Sequence, residues 1–155
     1  MRADAFFAEI APRTVLRKIH PAVGSFLTGY LSHEKVVRFG GQHVVNTHFP
    51  PYPSPAFDHF IDALGRFGDP AQRLYSVTWA VTNRCTFRCW HCYNAGRSLR
   101  DLPLPRMREI ARELQDLGVV VVTLTGGEPL LRDDLEEIVT AFNDRACLIV
   151  GTTGD

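Results

Sequence analysis

Three cysteines stand within an eight-residue window of this 155-residue chain, and their spacing is the feature most able to do chemistry. Cys85, Cys89 and Cys92 occupy the segment C-T-F-R-C-W-H-C, with the spacing C-x3-C-x2-C. Cysteine thiolates are the usual ligands of iron–sulfur clusters and common ligands of structural zinc ions. Three thiolates can hold a metal centre and leave one coordination position open for a reacting molecule. The spacing therefore predicts a metal-binding loop.

Two other interpretations fit the same spacing. Residues at positions i, i+4 and i+7 also lie on one face of a helix, so the three cysteines could be buried core residues. They could instead hold a structural zinc ion, which is almost always four-coordinate. The fourth zinc ligand would be His91, Cys147 or a distant histidine. His91 adjoins Cys92, however, and the apolar run around Cys147 predicts a small buried side chain. A [4Fe-4S] cluster held by three cysteines fits the loop best.

The composition is that of an ordinary globular protein of about one domain. Lys and Arg number 17 and Asp and Glu number 17, so the zero net charge gives no general attraction to nucleic acid or anionic membranes. No segment predicts a signal peptide or the roughly 20 apolar residues of a spanning helix. We therefore expect a cytoplasmic location, where thiols stay reduced and clustered cysteines bind metals rather than form disulfides.

The second part of the chain, residues 71–155, predicts alternating strands and helices around the cysteine loop. Asp133, with Glu136 three residues later, predicts a capping box at the start of the second helix. The alternation predicts an α/β fold with a parallel sheet and right-handed crossovers. The predicted elements are, in order, a strand over 75–81, a helix from about Pro105 to Leu117 ended by Gly118, a strand over 119–124, a helix after Asp133, and a strand from Cys147.

Residues 1–70 predict a separate extension of helices and a hairpin, with the boundary near 68–73. Gly40-Gly41 between two β-branched runs predicts a tight hairpin turn. Ser54 predicts the cap of a helix that begins at Pro55, after a proline-rich linker over 50–55. Weaker helical patterns cover 13–19 and 21–31. His43 and His48, near the hairpin, are the histidines most able to contact a substrate.

Two motifs carry a resemblance to a known family. T-N-R-C-T-F-R-C-W-H-C-Y-N resembles the cluster loop of the radical S-adenosylmethionine (SAM) superfamily. T-G-G-E-P, from Thr125 to Pro129, ends the next predicted strand and is similar to the family's second motif. Paired glycines allow a close backbone approach, and a carboxylate can pair with an ammonium group. Together the two motifs cover residues 74–153, about half of the chain.

The resemblance implies a cofactor arrangement and a reaction. It implies that the three cysteines each ligate one iron of a [4Fe-4S] cluster, and that the fourth iron binds SAM. The reduced cluster would then cleave SAM to methionine and a 5′-deoxyadenosyl radical, which abstracts a hydrogen atom from the substrate. The residues implied to contact SAM are Gly126, Gly127, Glu128 and Pro129 at the methionine end and Tyr93 near the adenine.

The chain departs from the family pattern in its extent. It supplies an incomplete TIM-like partial barrel, with three strands and two helices, after the N-terminal extension. The family's third strand often ends in Asn-Gly, whereas this chain has Thr152-Thr153-Gly154-Asp155. Arg84, Arg88, Arg97 and Arg100 around the loop could offset the charge of a cluster or meet an acidic substrate, although solvated surface charge explains them more simply.

Two functional hypotheses follow, and a structural zinc domain is a weaker third. In the first, the chain is the N-terminal part of a radical SAM enzyme. Its partners would be a reductant such as flavodoxin or ferredoxin, a small-molecule or peptide substrate, and a C-terminal complement of the barrel. In the second, it is an iron–sulfur binding or electron-transfer module that does not cleave SAM. The H-C-Y ending resembles family members that modify peptides or mature haem, molybdopterin or pyrroloquinoline quinone.

Overall fold

The structure is a computed structural model that describes residues 5–6, 10, 18–66, 69, 74–96 and 98–154. It divides into two compact units, Met1–Arg73 and Leu74–Asp155. The helix expected over 13–19 lies mostly outside the described residues. Among the described helices, none combines the length and the apolar character that a membrane crossing requires.

The described residues of the first unit include two longer helices and a hairpin. Helix α1 spans Pro21–Leu31, strands β1 (Val37–Phe39) and β2 (Gln42–Val44) pair antiparallel, and helix α2 spans Pro55–Gly65. Gly40 and Gly41 form the turn with φ values of 55° and 81°, a conformation that glycine adopts readily. The Ser54 hydroxyl accepts a hydrogen bond from the Phe57 amide at 3.0 Å. The predicted hairpin, α1 and the Ser54 cap are therefore confirmed.

Aromatic rings form the core of the first unit. Phe49, Phe57 and Phe60 are buried and contact one another edge to face or tilted. His43 is half-buried, pairs through its backbone with Tyr52 and lies with its ring centroid 5.1 Å from that of Phe6. His48 is exposed. The His43 ring thus packs within this unit, and a substrate contact by His43 or His48 stays a prediction.

The second unit is an α/β fold built on a parallel three-stranded sheet, as the alternation predicts. Its sheet order is β3-β4-β5, and both strand pairs are parallel. The central strand is almost fully buried, which explains its continuous apolar sequence. The elements are β3 (Ser76–Thr82), α3 (Leu104–Asp116), β4 (Val121–Gly126), a short 3₁₀ helix (Pro129–Leu131), α4 (Leu135–Val139) and β5 (Cys147–Val150).

The core of this unit lies between the sheet and its two helices. Its buried members are Val81, Met107, Val119, Val122, Leu124 and Ile138. Gly118 follows α3 with a φ of 76°, as expected for a glycine that ends a helix.

The predicted capping box at Asp133 is wrong. The residue that precedes α4 is Asp134, and its side chain makes no capping hydrogen bond. The Asp134 carboxylate instead accepts a hydrogen bond from the Arg132 guanidinium at 2.6 Å. The Asp133 side chain is 98% exposed. The Asp134 carboxylate therefore pairs with the neighbouring Arg132 rather than with the first amides of α4, and Asp133, to which the sequence pattern assigns the cap, is exposed.

Candidate metal centre

The cysteine loop connects β3 to α3 and has an irregular conformation. Cys85 and Cys89 are exposed, Cys92 is half-buried, and all three are free thiols. The loop consists of turns, with the Cys92 amide donating to the Cys89 carbonyl at 3.2 Å. The alternative of three core cysteines on one helix face is therefore wrong. The thiols share one loop, but no three or more Cys, His, Asp or Glu side chains in the described part of the chain are placed to hold a metal ion.

Hydrogen bonds fix both ends of the cysteine loop. The Asp101 carboxylate accepts from the Thr82 hydroxyl at 2.6 Å and from the Asn83 amide at 2.9 Å. The Asn83 side chain donates in turn to the Leu99 carbonyl at 3.1 Å. Burial opposes ionisation of Asp101, but these hydrogen bonds and two nearby arginines hold the pKa of its carboxyl below the usual value. The residues that enter and leave the loop are therefore tied together.

The Gly-Gly turn after β4 lies against the backbone just before the first cysteine. The Gly127 amide donates to the Thr82 carbonyl, and the Glu128 amide donates to the Arg84 carbonyl, both at 2.8 Å. A Cβ atom on Gly126 would overlap the Thr82 carbonyl oxygen, and one on Gly127 would overlap that of Arg84. The two glycines thus permit a backbone contact that larger residues exclude, and this contact joins the two sequence motifs.

Glu128 is a buried carboxylate whose oxygen atoms are fully used. Oε1 accepts from the Leu130 amide at 3.0 Å and the Thr152 hydroxyl at 2.6 Å. Oε2 accepts from the Thr153 amide at 2.9 Å and the Thr153 hydroxyl at 2.8 Å. Burial opposes ionisation, but these four hydrogen bonds outweigh it and lower the pKa of Glu128 to about 2. The carboxylate ties the turn after β4 to the segment after β5, and its pairing with a cofactor ammonium group stays a prediction.

Replacing Glu128 with glutamine is expected to destabilise the fold by about 2 kcal/mol, because the new amide group cannot accept hydrogen bonds at the position of Oε2. The loss should depend on pH. The usual pKa of 4.5 falls to about 2 on folding, so the stabilisation is present above pH 4.5 and is lost as the pH falls towards 2. Urea unfolding between about pH 7 and about pH 3 measures it. Glu137→Gln, at an exposed position on α4, is the matched control and should change stability by less than about 0.5 kcal/mol.

Residues Thr152 and Thr153 are site residues that the sequence interpretation did not assign. They supply three of the four donors to Glu128. The sequence offers one signal for them, namely two adjacent hydroxyl residues directly after a predicted strand. In parallel α/β folds the loops that follow the strands lie together at one edge of the sheet. That signal does not by itself identify Glu128 as the acceptor.

Tyr93, Asn94 and Pro129 complete the surroundings of the two motifs. The Tyr93 ring is 62% exposed, and its hydroxyl lies 3.4 Å from the Thr125 hydroxyl at the end of β4. Pro129 is buried and begins the 3₁₀ helix. Asn94 is buried, and its Oδ1 atom has no hydrogen-bond partner among the described residues. A buried acceptor without a donor is costly. The Asn94 amide oxygen, two residues after Cys92, can therefore still accept a hydrogen bond. Contact between Tyr93 and adenine stays a prediction.

The arginines around the loop differ in their surroundings. Arg84 is half exposed and lies 3.5 Å from Asp101 and 3.8 Å from Asp133. Arg88 and Arg100 are exposed, which fits the simpler interpretation of solvated charge, and Arg97 lies outside the described residues. Exposed charges of this kind contribute little to stability.

Cys147 is too far from the loop to complete a zinc site. It begins β5, pairs with Val121 at the start of β4, and Val121 pairs with Ser76 at the start of β3. The cysteine loop follows the other end of β3, roughly 20 Å away at about 3.3 Å per residue. The side chain is half-buried rather than fully buried, and burial raises the pKa of its thiol. The fourth ligand that a closed zinc site needs is therefore not Cys147.

Together these features describe an α/β protein in which two loops meet at the carboxyl edge of a parallel sheet. Residues 79–153 match the family model of the radical SAM superfamily. This segment belongs to the radical SAM superfamily, as the two motifs predict. No solved structure gives a significant match.

Curated relatives are similar over the same region. The chain is 36% identical over 96 residues to a probable GTP 3',8-cyclase of Methanocella arvoryzae, covering 61% of this chain and 29% of that protein. It is 45% identical over 62 residues to a probable GTP 3',8-cyclase of Archaeoglobus fulgidus, covering 39% and 21%. It is 35% identical over 78 residues to a GTP 3',8-cyclase of Photorhabdus laumondii, covering 48% and 24%. The matched segment thus spans less than a third of each of these relatives.

Proposed function

We propose that this chain forms the cluster-binding part of a radical SAM enzyme. In this proposal Cys85, Cys89 and Cys92 hold a [4Fe-4S] cluster, and SAM binds beside it against the turn at Gly126 and Gly127. The observation that carries the proposal is the backbone contact between this turn and residues 82–84. It places the second motif directly against the start of the cysteine loop, so one cofactor can contact both.

The residues present fit such a cluster. Three free thiols are soft ligands of the kind that iron–sulfur clusters require, and all three lie on one loop. The ends of that loop are fixed by Asp101, whereas the hydrogen bonds between Cys89, Cys92 and Ala95 are local turns. The thiols can therefore converge by changing turns within the loop, without breaking the contacts that hold its ends.

Each motif has a defined task in this proposal. When bound, the cluster supplies the single electron that cleaves SAM reductively to methionine and a 5′-deoxyadenosyl radical. Gly126 and Gly127 bring the turn against residues 82–84, so that the methionine end can contact both segments. Glu128 holds the shape of that turn through its contacts with the segment after β5, and Pro129 starts the 3₁₀ helix that follows. Tyr93 stands beside Thr125 and provides an aromatic surface for the adenine.

We propose that the three-stranded sheet is part of a TIM-like partial barrel whose remaining βα units come from a C-terminal complement. A flavodoxin or a ferredoxin would supply electrons in the cytoplasm, where the thiols stay reduced. The curated relatives are named for GTP, so GTP is the first substrate to assay. The similarity lies in the segment with the cluster motifs, so we propose a reaction class for this chain and no particular substrate.

Anaerobic reconstitution of the full chain with ferrous iron and sulfide tests the proposal. We expect about four irons per chain and a broad visible absorbance that bleaches with dithionite. With SAM and dithionite present, methionine and 5′-deoxyadenosine should be released, and the assay is run with and without GTP. A cluster without these products would support the electron-transfer module instead. One zinc ion without labile sulfide would overturn the cluster assignment.

A further inference from the structure

Arg132 is a buried cation that bridges the two ends of the cysteine loop. It is 5% exposed, and its guanidinium donates to the Val81 carbonyl at 2.7 Å and to the Leu102 carbonyl at 2.8 Å. Val81 lies at the end of β3, where the chain enters the loop, and Leu102 lies just before α3, where it returns. One side chain therefore sets the distance between the entry and the exit of the loop.

Asp134 orients this guanidinium. Its two carboxylate oxygens accept from Nε at 2.6 Å and from Nη2 at 3.2 Å, which is a bidentate arrangement. Asp134 also precedes α4, where an aspartate would usually cap the helix, but its side chain makes no capping bond. The Asp134 carboxylate thus binds the buried arginine and not the first amides of α4.

A second set of hydrogen bonds, next to those of Arg132, also joins the two ends of the cysteine loop. The Asp101 carboxylate joins Thr82 and Asn83 to the exit side of the loop, and the Gly127 amide binds the Thr82 carbonyl. We call residues 81–84 and 99–102 the loop stem. All three cysteines lie between the two halves of the stem. A loop with fixed ends loses less conformational entropy when its centre closes around a ligand.

We propose that Arg132 and Asp134 are positioning residues that lock the loop stem and thereby preorganise the cysteine loop for its cluster. The locking of the stem rests on the contacts above, whereas its purpose rests on the proposed function. Arginine is required because its planar fork meets two carbonyls and a carboxylate at once. Lysine carries the same charge as a point donor and cannot span the two carbonyl groups.

Arg132→Lys in the full chain tests the proposal, with Arg106→Lys as the matched control. Arg106 is an exposed arginine on α3 that pairs with Glu109 and Glu113 at the surface.

The first measurement is amide hydrogen exchange of the cluster-free chain. We expect exchange at Asn83 and Gly127 to become roughly tenfold faster in Arg132→Lys, with no change at Val122 in the centre of the sheet. General destabilisation would instead accelerate all these amides together. Asp134→Asn serves as a second variant if Arg132→Lys does not fold.

The second measurement is iron and sulfide content after reconstitution, with the electron paramagnetic resonance spectrum of the reduced chain. We expect Arg132→Lys to retain less than about a third of the wild-type iron and to broaden the signal, and Arg106→Lys to match the wild type. Unchanged stem exchange in Arg132→Lys would overturn the proposal, and so would faster exchange with undiminished iron. If the wild type itself takes up no iron, the proposed function fails, and stem exchange alone still decides whether Arg132 locks the loop.

Discussion

Serine at any one of Cys85, Cys89 and Cys92 is expected to remove most of the iron from the reconstituted chain. A cluster held by three thiolates has no spare protein ligand, and serine oxygen is a harder and weaker donor to iron than thiolate. We expect bound iron to fall from about four to less than about one per chain, with loss of the visible absorbance. Methionine release should fall by at least about a hundredfold. Iron and sulfide analysis and the visible spectrum measure the first effect.

Cys147→Ser is the matched control for this series. Cys147 starts β5 at the opposite end of the sheet from the cysteine loop, and burial raises the pKa of its thiol. A raised pKa keeps the thiol protonated, and a protonated thiol is a poor metal ligand. The control should therefore bind as much iron as the wild type. Iron loss in Cys147→Ser equal to that in Cys89→Ser, or full iron in Cys89→Ser, would contradict the assignment of the ligands.

Local patterns in the sequence predict the elements of the second unit well. The continuous apolar run at the start of β4, the spacing of Met107 and Ala111 on α3, and the glycine after α3 each reflect short-range physics. The sheet is parallel because strands and helices alternate along the chain. The cysteine spacing and the G-G-E-P turn are also local, so both motifs can be found without a structure. Their contact follows from the pairing of β3 with β4.

The contacts that shape the site could not be predicted in this way. Arg132 reaches Val81, which lies 51 residues away in the chain, and Glu128 reaches Thr153, which lies 25 residues away. No short pattern encodes such partners, because they depend on which strand ends the fold brings together. Asp134 leaves α4 without a side-chain cap because it pairs with Arg132 only two positions away, and that arginine in turn binds the distant Val81 and Leu102 carbonyls. The cysteine spacing places three thiols on one loop, but it does not determine whether the three sulfur atoms come close together. Their distances depend on the conformation of the turns between them.

Replacing Gly127 with alanine is expected to damage both the fold and the site. A Cβ atom at this position would overlap the Arg84 carbonyl oxygen and lie 2.6 Å from the Arg84 carbonyl carbon. These are backbone atoms, so no side-chain rotation can relieve the overlap. The turn must move away from residues 82–84, which breaks the hydrogen bond between the Glu128 amide and the Arg84 carbonyl. We expect a loss of about 3 kcal/mol of unfolding free energy, measured by urea denaturation.

Gly151→Ala is the matched control, since it adds the same methyl group directly after β5 of this sheet. A Cβ atom on Gly151 would meet its nearest neighbour, the Leu124 carbonyl oxygen, at 3.7 Å, which is ordinary van der Waals contact. Its stability should change by less than about 1 kcal/mol. Gly127→Ala should also reduce bound iron after reconstitution, because the displaced turn would no longer hold residues 82–84, which lead directly into Cys85. If Gly127→Ala keeps wild-type stability and iron, the backbone contact between the two motifs does not position the cysteine loop.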